Sequence, residues 1–151
     1  MLQLARPSDW EAVQLLSRQV HELHVAWRPD IFCPTEEPYS QAQFLEDIQN
    51  RMVYVAKIDG IVAGFVVLEM VRKGGAGVVE RKVLHLKKIC VEESIRGHGI
   101  GKTMMEDVRA LAKAFGCSQL ILGVHPENDD AVGFYQKCGF RIRTIHMDMQ
   151  L

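Results

Sequence analysis

Ile89-Cys90-Val91-Glu92-Glu93-Ser94-Ile95-Arg96-Gly97-His98-Gly99-Ile100-Gly101-Lys102-Thr103 decides how the rest of the chain is read. An apolar strand pattern enters the segment, glycines stand at 97, 99 and 101, and a helical pattern leaves it. Met104, Met105, Val108, Leu111, Ala112 and Phe115 repeat at the spacing of one helix face, and Gly116 stands where a left-handed cap belongs. Glycines at such a turn let successive N–H groups converge on one point with no Cβ in the way. The helix N-terminus adds roughly half a positive charge. The combination suits phosphate oxygens, and Arg96 and Lys102 can add full charges.

Two well-known phosphate patterns nearly fit and fail. The dinucleotide fingerprint G-x-G-x-x-G would begin at Gly97 and requires glycine where Lys102 stands. The P-loop G-x-x-x-x-G-K-[ST] accepts Gly101-Lys102-Thr103 but requires glycine where Arg96 stands, which argues against a nucleotide hydrolase.

Outward from the turn, the order of elements is legible. Leu2 and Leu4 mark a short strand ending at Pro7, and Ser8 with Glu11 reads as a capping box for a helix to about His24. Prolines 29, 34 and 38 make a loop, and Ser40 with Gln43 opens a second helix to about Asn50. Met52–Ile58 and Ile61–Val71 are strands joined by the hairpin signal Asp59-Gly60; a third strand, Val79–Val91, follows the glycine tip at 74–77. Beyond the central helix, Leu120–Val124 reads as a buried strand, Asn128–Cys138 as a helix closed by Gly139, and Phe140–Met149 as a final strand. The expected fold is α/β, a mixed sheet with helices on its faces in the order β-α-α-β-β-β-α-β-α-β, as one domain over residues 1–151.

Composition bounds the function. In 151 residues, 18 Lys and Arg face 19 Asp and Glu, so no global field draws nucleic acid or an anionic membrane. Cys33, Cys90, Cys117 and Cys138 are scattered without a C-x-x-C, so neither a disulfide framework nor a zinc knuckle is expected. The opening residues lack a signal-peptide core, and a cytoplasmic location is expected. His21 and His24 have no third ligand placed by sequence and read as helix-surface histidines, and no metal is expected. Lys87 and Lys88 read as a solvated or salt-bridged face.

Arg96, Gly99 and Gly101 match the acyl-CoA pyrophosphate turn Arg/Gln-x-x-Gly-x-Gly/Ala. One strand later, Asn128-x-x-Ala131-x-x-Phe134-Tyr135-x-x-x-Gly139-Phe140 matches a second signature. In these two motifs, in that order, the chain resembles the GNAT superfamily of acetyltransferases. Arg6 and Asp9 before the first helix also fit the family's opening.

The resemblance implies transfer of an acetyl group from acetyl-CoA to an amine-bearing acceptor by direct attack. It places the CoA pyrophosphate on the backbone of Gly97, His98, Gly99, Ile100, Gly101 and Lys102, with Arg96 beside it. It lays the pantetheine arm along the main chain of Ile89 and Val91, in the slot where that strand and the strand of Leu120 splay apart. Asn128 is implied as a pantetheine contact or a helix cap, and Tyr135, on the same helix face at i+7, as the acid for the departing thiolate and a cofactor contact. Many relatives carry an acidic base on the strand before the turn. This chain has His85-Leu86-Lys87-Lys88 there, which leaves His85, Glu69 or a water relay. Residues Trp27 to Tyr39 fall where relatives build part of the acceptor pocket. A CoA-binding module without turnover is the alternative, the acceptor and the range of acyl donors are left open, and dimers are common among relatives.

Overall fold

The computed structural model describes residues 1–151. A five-stranded sheet runs β1 (Leu2–Leu4), β2 (Val53–Ile58), β3 (Ile61–Gly75), β4 (Val78–Val91) and β5 (Gln119–Ile121) in spatial as in chain order. The first four strands are antiparallel, and β4 and β5 are parallel. That one parallel step requires a crossover, and α3 (Ile100–Ala114) supplies it. α1 (Trp10–Trp27) and α2 (Gln41–Gln49) precede β2, and α4 (Asp129–Lys137) follows β5.

Alternation along the central strands sends side chains to two cores. Val53, Val55, Phe65, Val67 and Cys90 pack beneath Val13 and Leu16 of α1 and Phe44 of α2. Tyr54, Ala56, Val66, Leu68, Leu84 and Leu86 meet Met104, Met105 and Val108 of α3 on the opposite face. Three layers result. Gly64 leaves room for β4 beside it and for α3 above it: a Cβ there would lie 2.6 Å from the Cys90 carbonyl and 3.0 Å from Met104 Sδ. The β2–β3 turn places Asp59 at φ 50° and Gly60 at φ 81°, the left-handed pair of a tight hairpin.

The expected capping box at Ser8 and Glu11 is replaced by one turn of 3-10 helix, Pro7–Asp9. Here Asp9 Oδ2 accepts from the Arg6 amide at 2.9 Å and Asp9 Oδ1 meets Lys57 Nζ at 2.7 Å. α1 then continues past His24 to Trp27. Ser40 caps α2 as expected, its hydroxyl accepting from the Gln43 amide.

The expected last strand does not form. After α4 closes at Gly139 (φ 92°), residues 141–151 run on without a backbone hydrogen bond, and β5 ends at Ile121 rather than Val124. The alternating pattern is there, and β5 has an open outer edge, but the segment does not lie along it: Asp148 and Gln150 bond instead to Arg28 and Asp30 after α1. No helix is long and apolar enough to cross a membrane.

Candidate active site

β4 and β5 are paired only from Val83 to His85 and from Gln119 to Ile121. Beyond that point β4 continues to Val91 while the other chain turns away toward α4, so the outer edge of β4 from Leu86 onward is open. The Glu92 amide donates to Ala63 of β3. By strand alternation Cys90 also addresses β3, and Ile89 and Val91 direct their main-chain groups into the gap. The Val91 carbonyl is already engaged there, accepting from Arg96 Nε at 2.9 Å. Arg96 thus ties the turn to the end of β4 through one nitrogen and leaves the rest of its guanidinium exposed.

At the mouth of the gap stands the glycine turn. Gly97 and Gly99 both sit at φ 83°, in the left-handed region, with nothing within 4 Å of where a Cβ would be. The backbone N–H groups of Gly97, His98, Gly99, Ile100, Gly101 and Lys102 find no acceptor in the chain; the first satisfied amide is Thr103, donating to Gly99. His98 Nδ1 lies 3.1 Å from the Ile95 and Arg96 carbonyls, which orders the turn from within. An unbroken run of unpaired donors at a helix N-terminus is a cradle for a multiply charged anion. The residues therefore fit a pyrophosphate.

Gly101 has a different task. A Cβ there would touch Phe134 Cζ at 3.4 Å, so the glycine lets α4 seat against the start of α3. Seating α4 brings Tyr135 into contact with the core under α3, at 5.4 Å from the Phe134 ring and 5.8 Å from Phe140. No group in the chain hydrogen-bonds its hydroxyl. Burial, with a smaller contribution from Cys138, pushes its pKa up to about 12. Asn128 caps α4, its Oδ1 accepting from the Ala131 amide at 3.2 Å, while its side-chain N–H groups remain unpaired.

The opposite face of the gap carries a cluster absent from the sequence-based site. His24, at the end of α1, stacks on Phe32 at 5.3 Å and lies 5.1 Å from His125, which follows β5. Trp27 and Phe32 also flank His125, at 6.5 and 5.6 Å. Burial lowers the pKa of His24, and the charges of His125, His21 and Lys88 lower it further. Lys88 is no solvated lysine: its ammonium lies over the Tyr39 ring at 4.3 Å, and burial lowers its pKa as well. The wall is drawn from α1, the proline-rich loop and the segment after β5. No local spacing could reveal it; only the position of Trp27–Tyr39 pointed toward it.

Of the base candidates, His85 and Glu69 face each other across β3 and β4, with Nδ1 and Oε2 3.4 Å apart and both half exposed. The gap thus passes through the sheet, with the glycine turn and Tyr135 toward α3 and α4 and the imidazole wall toward α1. Two reactants can enter from opposite faces and meet between β4 and β5.

Residues 18–140 match the Acetyltransferase (GNAT) family. Glucosamine 6-phosphate N-acetyltransferase 1 of Dictyostelium discoideum is 27% identical over 124 residues, 78% of this chain and 77% of that one. The namesake from Oryza sativa subsp. japonica is 32% identical over 82 residues, about half of each chain at 50% and 48%. Among solved structures, a mutant BH1408 protein from Bacillus halodurans superposes with a TM-score of 0.96 at 30% identity, covering 100% of this chain and 99% of its own. Aminoglycoside N-acetyltransferase AAC(6')-Iy in complex with CoA shares the fold, with a TM-score of 0.76 at 21% identity over 100% of this chain and 95% of that one. With the family pattern spanning most of its length, this chain belongs to the acetyltransferase (GNAT) family.

Proposed function

We propose that the protein transfers an acetyl group from acetyl-CoA to a primary amine, and that the reactants approach through opposite faces of the gap between β4 and β5. The observation that carries this reading is the row of unpaired N–H groups from Gly97 to Lys102, poised at the α3 N-terminus. They would hold the pyrophosphate, with Arg96 and Lys102 adding charge. The free main-chain groups of Ile89 and the Val91 amide would pair with the pantetheine arm as an added strand does. The unpaired amide of Asn128 is free to contact the same arm.

The amine enters past His24 and His125. An alkylammonium of pKa about 10.4 must lose its proton before it can attack, at a cost of roughly 4–5 kcal/mol at neutral pH. His24, held neutral by its surroundings, can accept that proton directly or through water, which His85 and Glu69, paired to each other, serve less well. On the other face Tyr135 donates a hydrogen bond to the sulfur as the carbon–sulfur bond breaks. A phenol at about 12 surrenders its proton to a thiolate of about 8.5 only uphill, by roughly 5 kcal/mol. Its principal contribution is therefore stabilisation of the developing thiolate, with proton delivery completed as the thiolate loses water.

Calorimetry with CoA, followed by thiol release over an amine panel, tests the reading. The panel includes glucosamine 6-phosphate and aminoglycosides, the acceptors in the relatives' names. Gly99→Val should abolish CoA binding with the circular dichroism spectrum unchanged; unaltered affinity would remove the pyrophosphate site. Tight CoA binding with no thiol release from any amine would favour a binding module without turnover.

A further inference from the structure

Lys57, Lys82 and Lys88 are the half-buried lysines of this chain, and only the first two are matched. Lys57 Nζ lies 2.7 Å from Asp9 Oδ1, and Lys82 Nζ donates to the Phe115 carbonyl at 2.6 Å. The Lys88 ammonium rests on the face of the Tyr39 ring, 4.3 Å from its centroid, and reaches neither a carboxylate nor a carbonyl. A ring face attracts a cation but offers its N–H groups no lone pairs, and a charge withdrawn from water ordinarily has a partner. Burial lowers the Lys88 pKa, and Lys87 adds to the effect.

The position of Lys88 tells what partner is missing. It stands opposite Val67 in the β3–β4 register, and Val67 packs beneath α1, so the Lys88 side chain lies on the α1 face of the sheet. That is the face from which the amine enters. Lys88 also falls in the stretch of β4 whose outer edge is open, one residue before Ile89. The groups around it are mostly basic: Lys88, His125 and His21 all lower the pKa of His24. Asp47, the acid whose charge reaches Lys88, stands at the hydroxyl end of the Tyr39 ring and is already occupied. It accepts from that hydroxyl at 2.5 Å and from Gln43 Nε2 at 3.1 Å. Glu92, just past the end of β4, accepts from Gln19 Nε2 at 3.2 Å. Such a surface repels an acceptor whose only charge is its ammonium, and repels a polyamine more.

We infer that Lys88 receives an anionic group of the acceptor, a carboxylate or a phosphate, so that the substrates are amines that also carry a negative charge. The inference rests on the acetyl-transfer reading and adds to it the class of acceptor. An incoming oxyanion gives the ammonium the acceptors that the chain withholds, in charge-assisted hydrogen bonds. The same cation favours the neutral form of an amine brought near it. Lys88 thus holds one end of the acceptor and eases loss of the proton at the other.

Thiol release at low acceptor concentration, which reads kcat/KM, tests this with matched amines. β-Alanine and phosphoethanolamine are set against the neutral β-alaninamide and ethanolamine, with propanediamine as the cationic member. Each anionic amine should exceed its neutral counterpart at least about tenfold, and the diamine should be slowest. A neighbouring negative charge raises the amine's own pKa, so a larger free-amine fraction cannot produce that order. Lys88→Met and Lys88→Gln, one apolar and one polar, should each bring the ratio to within about twofold of unity, with CoA affinity and circular dichroism unaltered. β-Alanine against phosphoethanolamine shows which oxyanion fits. Equal rates for anionic and neutral amines overturn the inference, and so does a preference that survives both substitutions; either result leaves the acetyltransferase reading intact. Should no amine turn over, phosphoethanolamine and ethanolamine are titrated by calorimetry into CoA-saturated protein, whose glycine turn is filled. Tighter binding of the anionic amine, lost in Lys88→Met, upholds the role of Lys88 while removing turnover, and equal binding overturns it.

Discussion

Replacing Tyr135 with phenylalanine separates what the ring does from what the hydroxyl does. The ring contacts with Phe134 and Phe140 survive the change. The hydroxyl has no partner in the chain, so its removal orphans nothing, and stability should stay within about 0.5 kcal/mol. What disappears is a donor to a developing thiolate. A hydrogen bond to a charged group contributes about 1.5–3 kcal/mol, equivalent to roughly one to two pKa units of the thiol it serves. The cleanest assay needs no acceptor. CoA bound to each protein is titrated through the ultraviolet absorbance of its thiolate, and Tyr135→Phe should raise the thiol pKa by about one to two units. Tyr135 itself, at about 12, stays protonated across that range and does not obscure the transition. With an acceptor in hand, kcat should fall about 10- to 150-fold on the hydrogen bond alone. The fall reaches about 10⁴-fold if proton delivery is also rate-limiting. CoA affinity should barely move. An unchanged thiol pKa and unchanged kcat would refute the assignment and leave Tyr135 as a packing residue.

Other expectations are briefer. Gly99→Ala places a Cβ in open space but at φ 83°, so it should lower the unfolding free energy by about 1–2 kcal/mol, or weaken CoA binding in calorimetry where the turn relaxes to escape the strain. Gly64→Ala acts through a steric clash instead, since its Cβ would lie 2.6 Å from the Cys90 carbonyl. Thermal melts should show a loss of about 1–3 kcal/mol, and an unchanged melting temperature would contradict the packing described. His24 has its pKa lowered by burial and by the charges of His125, His21 and Lys88. Its unfolded form therefore binds the proton more readily, so its stabilisation is complete above about 6.5 and is lost as pH falls through the lower folded value. kcat/KM should fall on the same acid side, and His24→Ala should remove that limb, whereas a profile overlaying the parent would clear His24 of the role. His85→Ala should leave the acid limb in place.

How much of this was legible beforehand depends on the distance over which each feature is encoded. The glycine turn, the Asp59-Gly60 hairpin, the Ser40 cap and the helix of Met104 and Val108 all express local rules within a few residues. So do Asn128 and Tyr135, set on one helix face by their spacing. The start of α1 departs from the capping-box expectation because Asp9 answers two demands at once, a local one from the Arg6 amide and a long-range one from Lys57 of β2, and the second is invisible in sequence. The final strand is absent for a related reason: alternation specifies a willingness to pair, and pairing also requires that the segment be brought alongside an edge, whereas Asp148 and Gln150 hold this one at Arg28 and Asp30.

By itself, then, the sequence determined the order of the elements, the anion-binding turn and the position of the phenol, because backbone conformation and helix periodicity depend on near neighbours. Only the tertiary structure decided that β4 and β5 part after His85 and Ile121, that His24 and His125 form a wall across the gap from Tyr135, and that residues 141–149 stand away from their own sheet. These arise where segments distant along the chain meet or fail to meet, and no short-range pattern carries that information.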